Sequence, residues 1–92
     1  MTVGIVGLGL IGGSFAKVYY EADARVLAFD RDKSICDFAV LSGVVDGELT
    51  RENISECDLV LVAVYPDAAV DYLKEMGPWI GKKPVVIDCC GT

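Results

Sequence analysis

Runs of apolar residues recur along the chain and predict buried β-strands. Mostly aliphatic runs of this kind occupy residues 3–6, 25–30, 59–64 and 85–88. A short edge strand is expected at residues 44–46, and residues 47–56 are expected to form a loop that could include a helical turn. The run at 59–64 is the longest and richest in β-branched residues, so it is the best candidate for a central strand.

Apolar residues at helical spacing separate these strands. One helix is predicted at about 11–22, a second from a cap at Asp32 or Ser34 to Gly43, and a third from a cap at Asp67 to Gly77. The turn after the first helix lacks a glycine, so Asp23 is expected to adopt the left-handed conformation. The apolar positions expected to face the core are Ile11, Phe15, Val18, Ala22, Ile35, Phe38, Ala39, Leu41, Val70 and Leu73.

The order of these elements indicates the fold class. Alternating strands and helices imply right-handed crossovers and parallel pairing. We therefore predict an α/β domain with a doubly wound, mainly parallel sheet of about five strands. The sequence shows no internal repeat and no interdomain linker, so residues 1–92 are interpreted as one domain.

A glycine-rich sequence follows the first predicted strand directly. Residues 7–12 read Gly-Leu-Gly-Leu-Ile-Gly, which is a GxGxxG motif. Gly7 permits a tight turn, Gly9 leaves room for a pyrophosphate, and Gly12 lets the next helix pack closely. The motif is weak evidence alone, because it also requires a preceding strand, a following helix and an acidic residue after a second strand.

Asp30 supplies that acidic residue, eighteen positions after Gly12 and at the end of the second predicted strand. The combination indicates a dinucleotide-binding domain of the Rossmann type. A carboxylate accepts hydrogen bonds from the ribose hydroxyls of NAD and repels the extra phosphate of NADP, so NAD is the expected cofactor and NADP the less favoured one. Arg31 is also expected in the site, where its guanidinium could pair with that phosphate or stack on adenine.

Two further strands should end at the same sheet edge, where open parallel sheets bind ligands. The fourth strand leads into residues expected to line the cofactor's path, which are Val64, Tyr65 and Pro66. The fifth leads into a loop expected near the nicotinamide and the substrate, with Cys90, Gly91 and Thr92. A full fold of this type has six strands, so the chain is expected to be truncated at its C-terminus.

The composition of the chain argues against several classes of function. A net charge of −6 with only 8 Lys and Arg argues against nucleic-acid or anionic-membrane binding, and no apolar stretch approaches the length of a membrane span. The four cysteines lack CxxC spacing and the chain has no histidine, so no metal site is expected and the thiols are interpreted as reduced, in a cytoplasmic protein. No residue stands out as a general base, so the chain alone is expected to bind a cofactor without catalysing a reaction.

The run VGIVGLGLIGGSFA at residues 3–16, with Asp30-Arg31, resembles the N-terminal domain of prephenate dehydrogenases, including their arogenate-using relatives. Residues 43–46, 58–64 and 88–92 extend the resemblance over the whole chain. It implies an NAD-dependent oxidoreductase of tyrosine biosynthesis. The implied reaction is oxidative decarboxylation of prephenate to 4-hydroxyphenylpyruvate.

The resemblance also assigns roles to residues of this chain. NAD-binding positions would be Gly7, Gly9, Gly12 and Asp30, with Leu10 and Ile11 at the pyrophosphate turn and residues 88–92 facing the substrate. Family members continue with a lysine, a substrate domain that bears a catalytic histidine, and a helical dimerisation domain. The chain is therefore expected to be a fragment of a longer two-domain enzyme that acts as a homodimer. Some members carry serine where Gly91 stands, which places a hydroxyl contact there in question.

Two alternatives stay open at this point. The chain could be the cofactor domain of another NAD(P)-dependent enzyme, of the pyrroline-carboxylate reductase or hydroxyacid dehydrogenase type. It could also be a non-catalytic nucleotide-binding module whose fifth strand pairs with a partner.

Overall fold

The structure is a computed structural model, and it describes residues 1–89 with the exception of the side chains of Leu10 and Ile11. Its strands are β1 (Thr2–Val6), β2 (Arg25–Phe29), β3 (Gly47–Glu48), β4 (Leu59–Val62) and β5 (Val85–Asp88). Its helices are α1 (Leu10–Glu21), α2 (Lys33–Leu41) and α3 (Pro66–Ile80), with a short 3-10 helix at Ile54–Glu56. The alternation confirms the predicted α/β class.

The five strands form one sheet in the order β3-β2-β1-β4-β5, and every neighbouring pair is parallel. Val3 pairs with Val26 of β2 on one side and with Leu59 of β4 on the other. The strand order reverses between β1 and β4, and a crevice forms at the carboxyl ends of strands at such a point. The predicted doubly wound sheet is confirmed, and its geometry locates the region where a ligand would bind.

Alternation along the strands sends side chains to two separate apolar layers. One layer, next to α1 and α2, includes Val3, Ile5, Ala16, Val26, Ala28, Ala39, Val45, Leu59 and Leu61. The other, next to α3 and the 3-10 helix, includes Val6, Leu27, Leu49, Ile54, Cys57, Val60, Val62, Ala69, Tyr72 and Ile80. Helices therefore cover both faces of the central strands, as continuous apolar runs require.

The first helix packs through small residues, and two of the predicted core positions are wrong. Gly12 and Ala16, one turn apart, are buried against the sheet, whereas Val18 is 60% exposed and Ala22 is also exposed. Small side chains allow the helix backbone to approach the sheet closely, which moves larger side chains to the flanks. The prediction for Asp23 is confirmed, with φ of 61°.

The second helix differs from its prediction in the same way. Asp32 caps it as expected, since its carboxylate accepts a hydrogen bond from the Ser34 backbone N–H. Its buried residues are Cys36 and Ala39, whereas three predicted core residues are exposed, which are Ile35, Phe38 and Leu41. Because β3 beneath α2 has only two residues, there is little sheet for a wide apolar face to cover.

The edge strand lies later in the chain than predicted. β3 comprises residues 47–48, not 44–46, and pairs with Leu27 and Ala28. The Asp46 carboxylate accepts a hydrogen bond from the Val26 N–H, and its own N–H donates to the Val26 carbonyl. The Asp46 carboxylate thus takes the place of a backbone carbonyl at the start of the pairing between β2 and β3. β4 also ends two residues before its predicted end, at Val62.

The third helix begins before and ends after the predicted positions. Its first residue is Pro66, so Asp67 lies in the first turn and does not cap the helix. Proline suits that position because its missing N–H would have no helical partner. The helix continues past Gly77 and contains Pro78, and it ends at Gly81, whose φ is 75°. Burial of Ile80 in the core favours the extra turn despite the hydrogen bond that Pro78 cannot donate.

Several residues of α3 and β5 are exposed to solvent. Val70 is 51% exposed and Leu73 is half-buried, so only the second of these predicted core positions contacts the core. All four residues of β5 are exposed. Among the residues described, no helix is both long and apolar enough to cross a bilayer.

Candidate cofactor-binding site

The turn after β1 adopts a conformation that only glycine tolerates at its first position. Gly7 has φ of 95°, and its N–H donates to the Phe29 carbonyl at 2.7 Å. A Cβ at Gly7 would lie 2.6 Å from Val64 Cγ1 and 2.7 Å from the Ala63 carbonyl oxygen. The turn is therefore held between the ends of β2 and β4, directly in the crevice of the sheet.

The other two motif glycines differ in the space that a side chain would have. A Cβ at Gly12 would collide with the backbone carbonyl of Gly7, so this glycine is required for α1 to pack on the turn. A Cβ at Gly9 would meet no atom within 4 Å among the described residues, so it would project into open space. Gly9 therefore leaves room for a ligand, which is the fit expected for a pyrophosphate.

The N-terminus of α1 faces this open space. Gly9 is the N-cap, and it provides no side chain to satisfy the first backbone N–H groups of the helix. The first turn contains no acidic residue, so its partial positive charge is not neutralised from within the helix. The arrangement provides donors and favourable charge for a phosphate group.

Asp30 connects the end of β2 to the glycine turn. Its Oδ2 accepts a hydrogen bond from the Leu8 N–H at 2.8 Å, and its Oδ1 accepts one from the Asp32 N–H at 2.9 Å. A carboxylate has about four acceptor positions, so about two are left for a ligand hydroxyl. Asp30 thus lies where a ribose contact is expected and also fixes the turn, a second role that the sequence pattern did not predict.

Two neighbouring cavities open between the end of β2 and α3. The small cavity has a volume of about 120 Å³ and is lined by Val6, Phe29, Arg31, Val64, Ala68, Asp71, Tyr72 and Glu75. The large cavity has a volume of about 350 Å³ and is lined by Phe29, Glu48, Leu49, Thr50, Arg51, Glu52, Tyr72, Glu75 and Met76. Phe29, Tyr72 and Glu75 form the boundary that the two cavities share.

Tyr72 is the most buried polar side chain of this boundary, with 9% of its surface exposed. Its ring lies 5.3 Å from that of Phe29, between centroids. Its hydroxyl has no hydrogen-bond partner among the described residues. Burial, and secondarily the nearby Cys57 and Glu75, raise the pKa of Tyr72 far above its ordinary value, so the hydroxyl stays protonated.

The structure brings some of the sequence-predicted site residues together and not others. Arg31 and Val64 line the small cavity. Tyr65 and Pro66 are exposed at the start of α3, and neither lines either cavity. The predictions for Cys90, Gly91 and Thr92, and for the side chains of Leu10 and Ile11, lie outside the described residues.

The face of α3 that lines the small cavity was not predicted. Its residues are Ala68, Asp71, Tyr72 and Glu75. Their spacing of three, four and seven residues is that of one helix face, and this spacing is the signal from which they could have been found.

The comparison with protein families agrees with this geometry. Residues 2–92 match the model of the NAD binding domain of 6-phosphogluconate dehydrogenase. The chain belongs to this family. It is thus an NAD-binding domain of an oxidoreductase.

Solved structures of several enzymes contain a domain similar to this one. An arogenate dehydrogenase from Synechocystis is 25% identical with a TM-score of 0.87, over 96% of this chain and 32% of that protein. A prephenate dehydrogenase from A. aeolicus, in complex with hydroxyphenyl propionate and NAD+, is 24% identical with a TM-score of 0.80, over 96% and 32%. An imine reductase from Streptomyces aurantiacus is 24% identical with a TM-score of 0.78, over 96% and 31%. This chain spans about a third of the length of these proteins.

Proposed function

We propose that the chain is the cofactor-binding part of a dehydrogenase that acts on prephenate or arogenate. The observation that carries the proposal is the similarity to the Synechocystis arogenate dehydrogenase, at 25% identity and a TM-score of 0.87. The motif of residues 7–14 followed by Asp30-Arg31 supports the same assignment. The substrate would be oxidised and lose carbon dioxide while a hydride passes to NAD, and the groups that bind and deprotonate it would belong to a further domain.

The proposed pose of the dinucleotide follows from the crevice. Its pyrophosphate would lie over Gly9 at the N-terminus of α1, where a side chain is absent and the helix end is positive. The adenosine ribose would contact Asp30, and the base would enter the small cavity between Arg31 and Val64. The nicotinamide would then extend from the crevice toward the end of β5.

Selectivity for NAD is proposed to come from the acidic character of the ribose end. Asp30 retains acceptor positions for ribose hydroxyls, and its charge opposes a 2′-phosphate. Asp71 and Glu75 add negative charge around the small cavity, where Arg31 is the one cationic side chain among its lining residues. The balance of these charges favours NAD over NADP.

Isothermal titration of this chain with NAD and with NADP tests the cofactor part of the proposal. We expect tighter binding of NAD, and equal affinities would contradict the selectivity. The substrate part requires the natural gene product that carries this sequence, assayed for NADH formation with prephenate and with arogenate. Turnover of either one supports the proposal, and failure with both in a protein that binds NAD refutes it.

A second candidate function is favoured by one observation. The imine reductase from Streptomyces aurantiacus has nearly the same identity and TM-score as the prephenate dehydrogenase. The gene product would then reduce an imine with a reduced nicotinamide cofactor and release no carbon dioxide. Consumption of NADH or NADPH with an imine substrate, together with inactivity on prephenate and arogenate, would favour this alternative.

A further inference from the structure

The outer edge of β5 carries no strand within the described part of the chain. β5 is the last strand in the sheet order, and it pairs with β4 on its inner side. The Val85 N–H donates to the Asp58 carbonyl at 3.1 Å, and the Cys89 N–H donates to the next turn of the ladder on β4 at 2.8 Å. Odd-numbered positions thus direct their backbone groups toward β4, so by alternation the N–H and C=O of Val86 point outward. These groups can pair with another strand.

The side chains of β5 are apolar and exposed on both faces of the sheet. Val85 is 61% exposed and Ile87 is 46% exposed, and their partners on β4 place both on the face of α1 and α2. Val86 is also exposed, on the face of α3. The opposite edge of the sheet is different, because β3 has only two residues. Cross-strand pairs of β-branched side chains stabilise sheets, so β5 is the edge suited to accept a further strand.

The two ends of β5 carry opposite charges. Lys82 and Lys83 precede the strand, and Asp88 is its last residue. Lys83 lies 3.8 Å from the Asp58 carboxylate, whereas Lys82 forms no ion pair within the described residues. Two copies of β5 in parallel would place lysine beside lysine. Two antiparallel copies would place Lys82 of each near Asp88 of the other, so the charges favour an antiparallel partner with this same sequence.

We propose that β5 pairs antiparallel with β5 of a second copy of this chain, about a two-fold axis at Val86. Each Val86 N–H then donates to the Val86 carbonyl of the other copy. In this register Val85 lies opposite Ile87 of the second copy, which is a pair of β-branched side chains repeated by the symmetry. Two five-stranded sheets become one continuous sheet. The inference goes beyond the proposed function and does not depend on the cofactor.

Analytical ultracentrifugation of the chain measures the association. The molar mass should rise with concentration from 9.8 kDa toward twice that value. An interface of this small size is weak, so we expect a dissociation constant of about 10–100 μM. Val86→Pro removes the outward N–H and leaves the bonds to β4, so it should raise this constant by about tenfold or more. Val70→Lys, on the exposed surface of α3, is the control and should leave it unchanged.

A charge exchange tests the antiparallel orientation and does not require the proline variant to fold. Lys82→Glu alone, or Asp88→Lys alone, places like charges near each other at both ends of the interface. Each should raise the dissociation constant by about threefold to tenfold. The double variant with both substitutions restores opposite charges, so its constant should return to within about twofold of the wild-type value. Circular dichroism of each variant verifies folding.

Val86→Cys reports the register directly. Cα atoms of a hydrogen-bonded antiparallel pair lie about 5.5 Å apart, a distance that a disulfide can bridge. Mild oxidation should give a covalent dimer whose peptide map joins position 86 of the two copies, whereas Val70→Cys should give none.

Three results would overturn the inference. One is a wild-type chain that stays monomeric up to about 1 mM, which would leave the edge to a strand from elsewhere in a longer gene product. The second is a dimer that neither Val86→Pro nor the single charge variants weaken. The third is a dimer that Phe38→Ser abolishes and Val86→Pro does not, which would place the contact on the exposed side of α2. NAD titration is separate from all three, so the inference can fail while cofactor binding stands.

Discussion

Asp30 accepts a hydrogen bond from the Leu8 backbone N–H at 2.8 Å, across twenty-two residues of the chain. The other oxygen of the same carboxylate accepts from the Asp32 N–H. One side chain therefore holds the glycine turn against the end of β2 and presents its remaining acceptor positions to the ribose end of the site. Substitution of Asp30 should change both the stability of the chain and its choice of cofactor.

Asp30→Ser is the variant that tests this double role. Loss of the charge removes the repulsion of a 2′-phosphate, so the difference between NAD and NADP affinities should shrink in isothermal titration. Loss of the bond to Leu8 should lower the free energy of unfolding by about 1–2 kcal/mol in urea denaturation. Asp37→Ser, on the exposed surface of α2, should change neither quantity appreciably. An Asp30→Ser chain that keeps the wild-type cofactor preference would show that selectivity resides elsewhere.

Alanine substitutions at the three glycines near the start of α1 should affect NAD binding and the free energy of unfolding separately. Gly9→Ala adds a methyl group in open space with φ of −66°, so stability should be retained while NAD binding weakens at least tenfold. Gly12→Ala places a Cβ against the Gly7 carbonyl, so unfolding free energy should fall by about 3 kcal/mol or more. Thermal denaturation and NAD titration measure the two effects.

Gly13→Ala is the matched control for both glycine variants. Its Cβ would lie 3.8 Å from the Leu8 carbonyl oxygen, an ordinary contact, and alanine is favoured by about 0.5–1 kcal/mol inside a helix. We expect a small gain in stability and unchanged NAD affinity. Unaltered NAD binding by Gly9→Ala would refute the position proposed for the pyrophosphate.

Tyr72→Phe should not destabilise the chain. The hydroxyl of Tyr72 is buried without a hydrogen-bond partner among the described residues, so folding removes it from water with no bond in exchange. Removal of the hydroxyl should therefore raise the free energy of unfolding by about 1 kcal/mol. Tyr72→Ala, which also removes the ring packed on Phe29, should lower it by about 3–4 kcal/mol. Tyr20 is 44% exposed, so Tyr20→Phe should have no measurable effect on the free energy of unfolding. A loss of stability in Tyr72→Phe would reveal a hydrogen bond to this hydroxyl.

Asp58→Asn should destabilise the chain at neutral pH and much less in acid. The Thr2 N–H donates to Asp58 Oδ2 at 2.8 Å, and this bond, assisted by the charge of Lys83, lowers the pKa of the Asp58 carboxyl. A lowered pKa in the folded state means that the stabilisation is complete above the unfolded pKa of about 3.9 and is lost as pH falls through the folded value. Urea midpoints of the two proteins should therefore differ at pH 7 and converge as pH falls below the lowered pKa of Asp58.

Glu21→Gln, at the exposed end of α1, is the control for this charge change and should leave the urea midpoint unaltered across the same pH range. A constant difference between wild type and Asp58→Asn from pH 7 to pH 3 would mean that the variant acts through packing and not through the titration of Asp58.

Local sequence features predicted the elements of this fold and the turn at its centre. Aliphatic runs indicated buried strands, their alternation with helices indicated parallel pairing, and the spacing from Gly12 to Asp30 indicated a dinucleotide site. These features depend on residues close in sequence, and the family match over residues 2–92 confirms the NAD-binding class. The pattern was less informative about helix faces, since Ala16 and Ala39 are buried where Val18 and Phe38 are not.

What the sequence by itself determined is the order of strands and helices, the glycine turn and the acid that follows β2. Tertiary structure alone decided that Asp30 binds the turn, that small residues face the sheet on α1 and α2, and that Tyr72 and Glu75 border the cavities. The physical reason is distance. The period of a helix or strand determines the direction in which each side chain leaves its own backbone. How closely two elements approach depends on the volumes of side chains that come from distant parts of the chain.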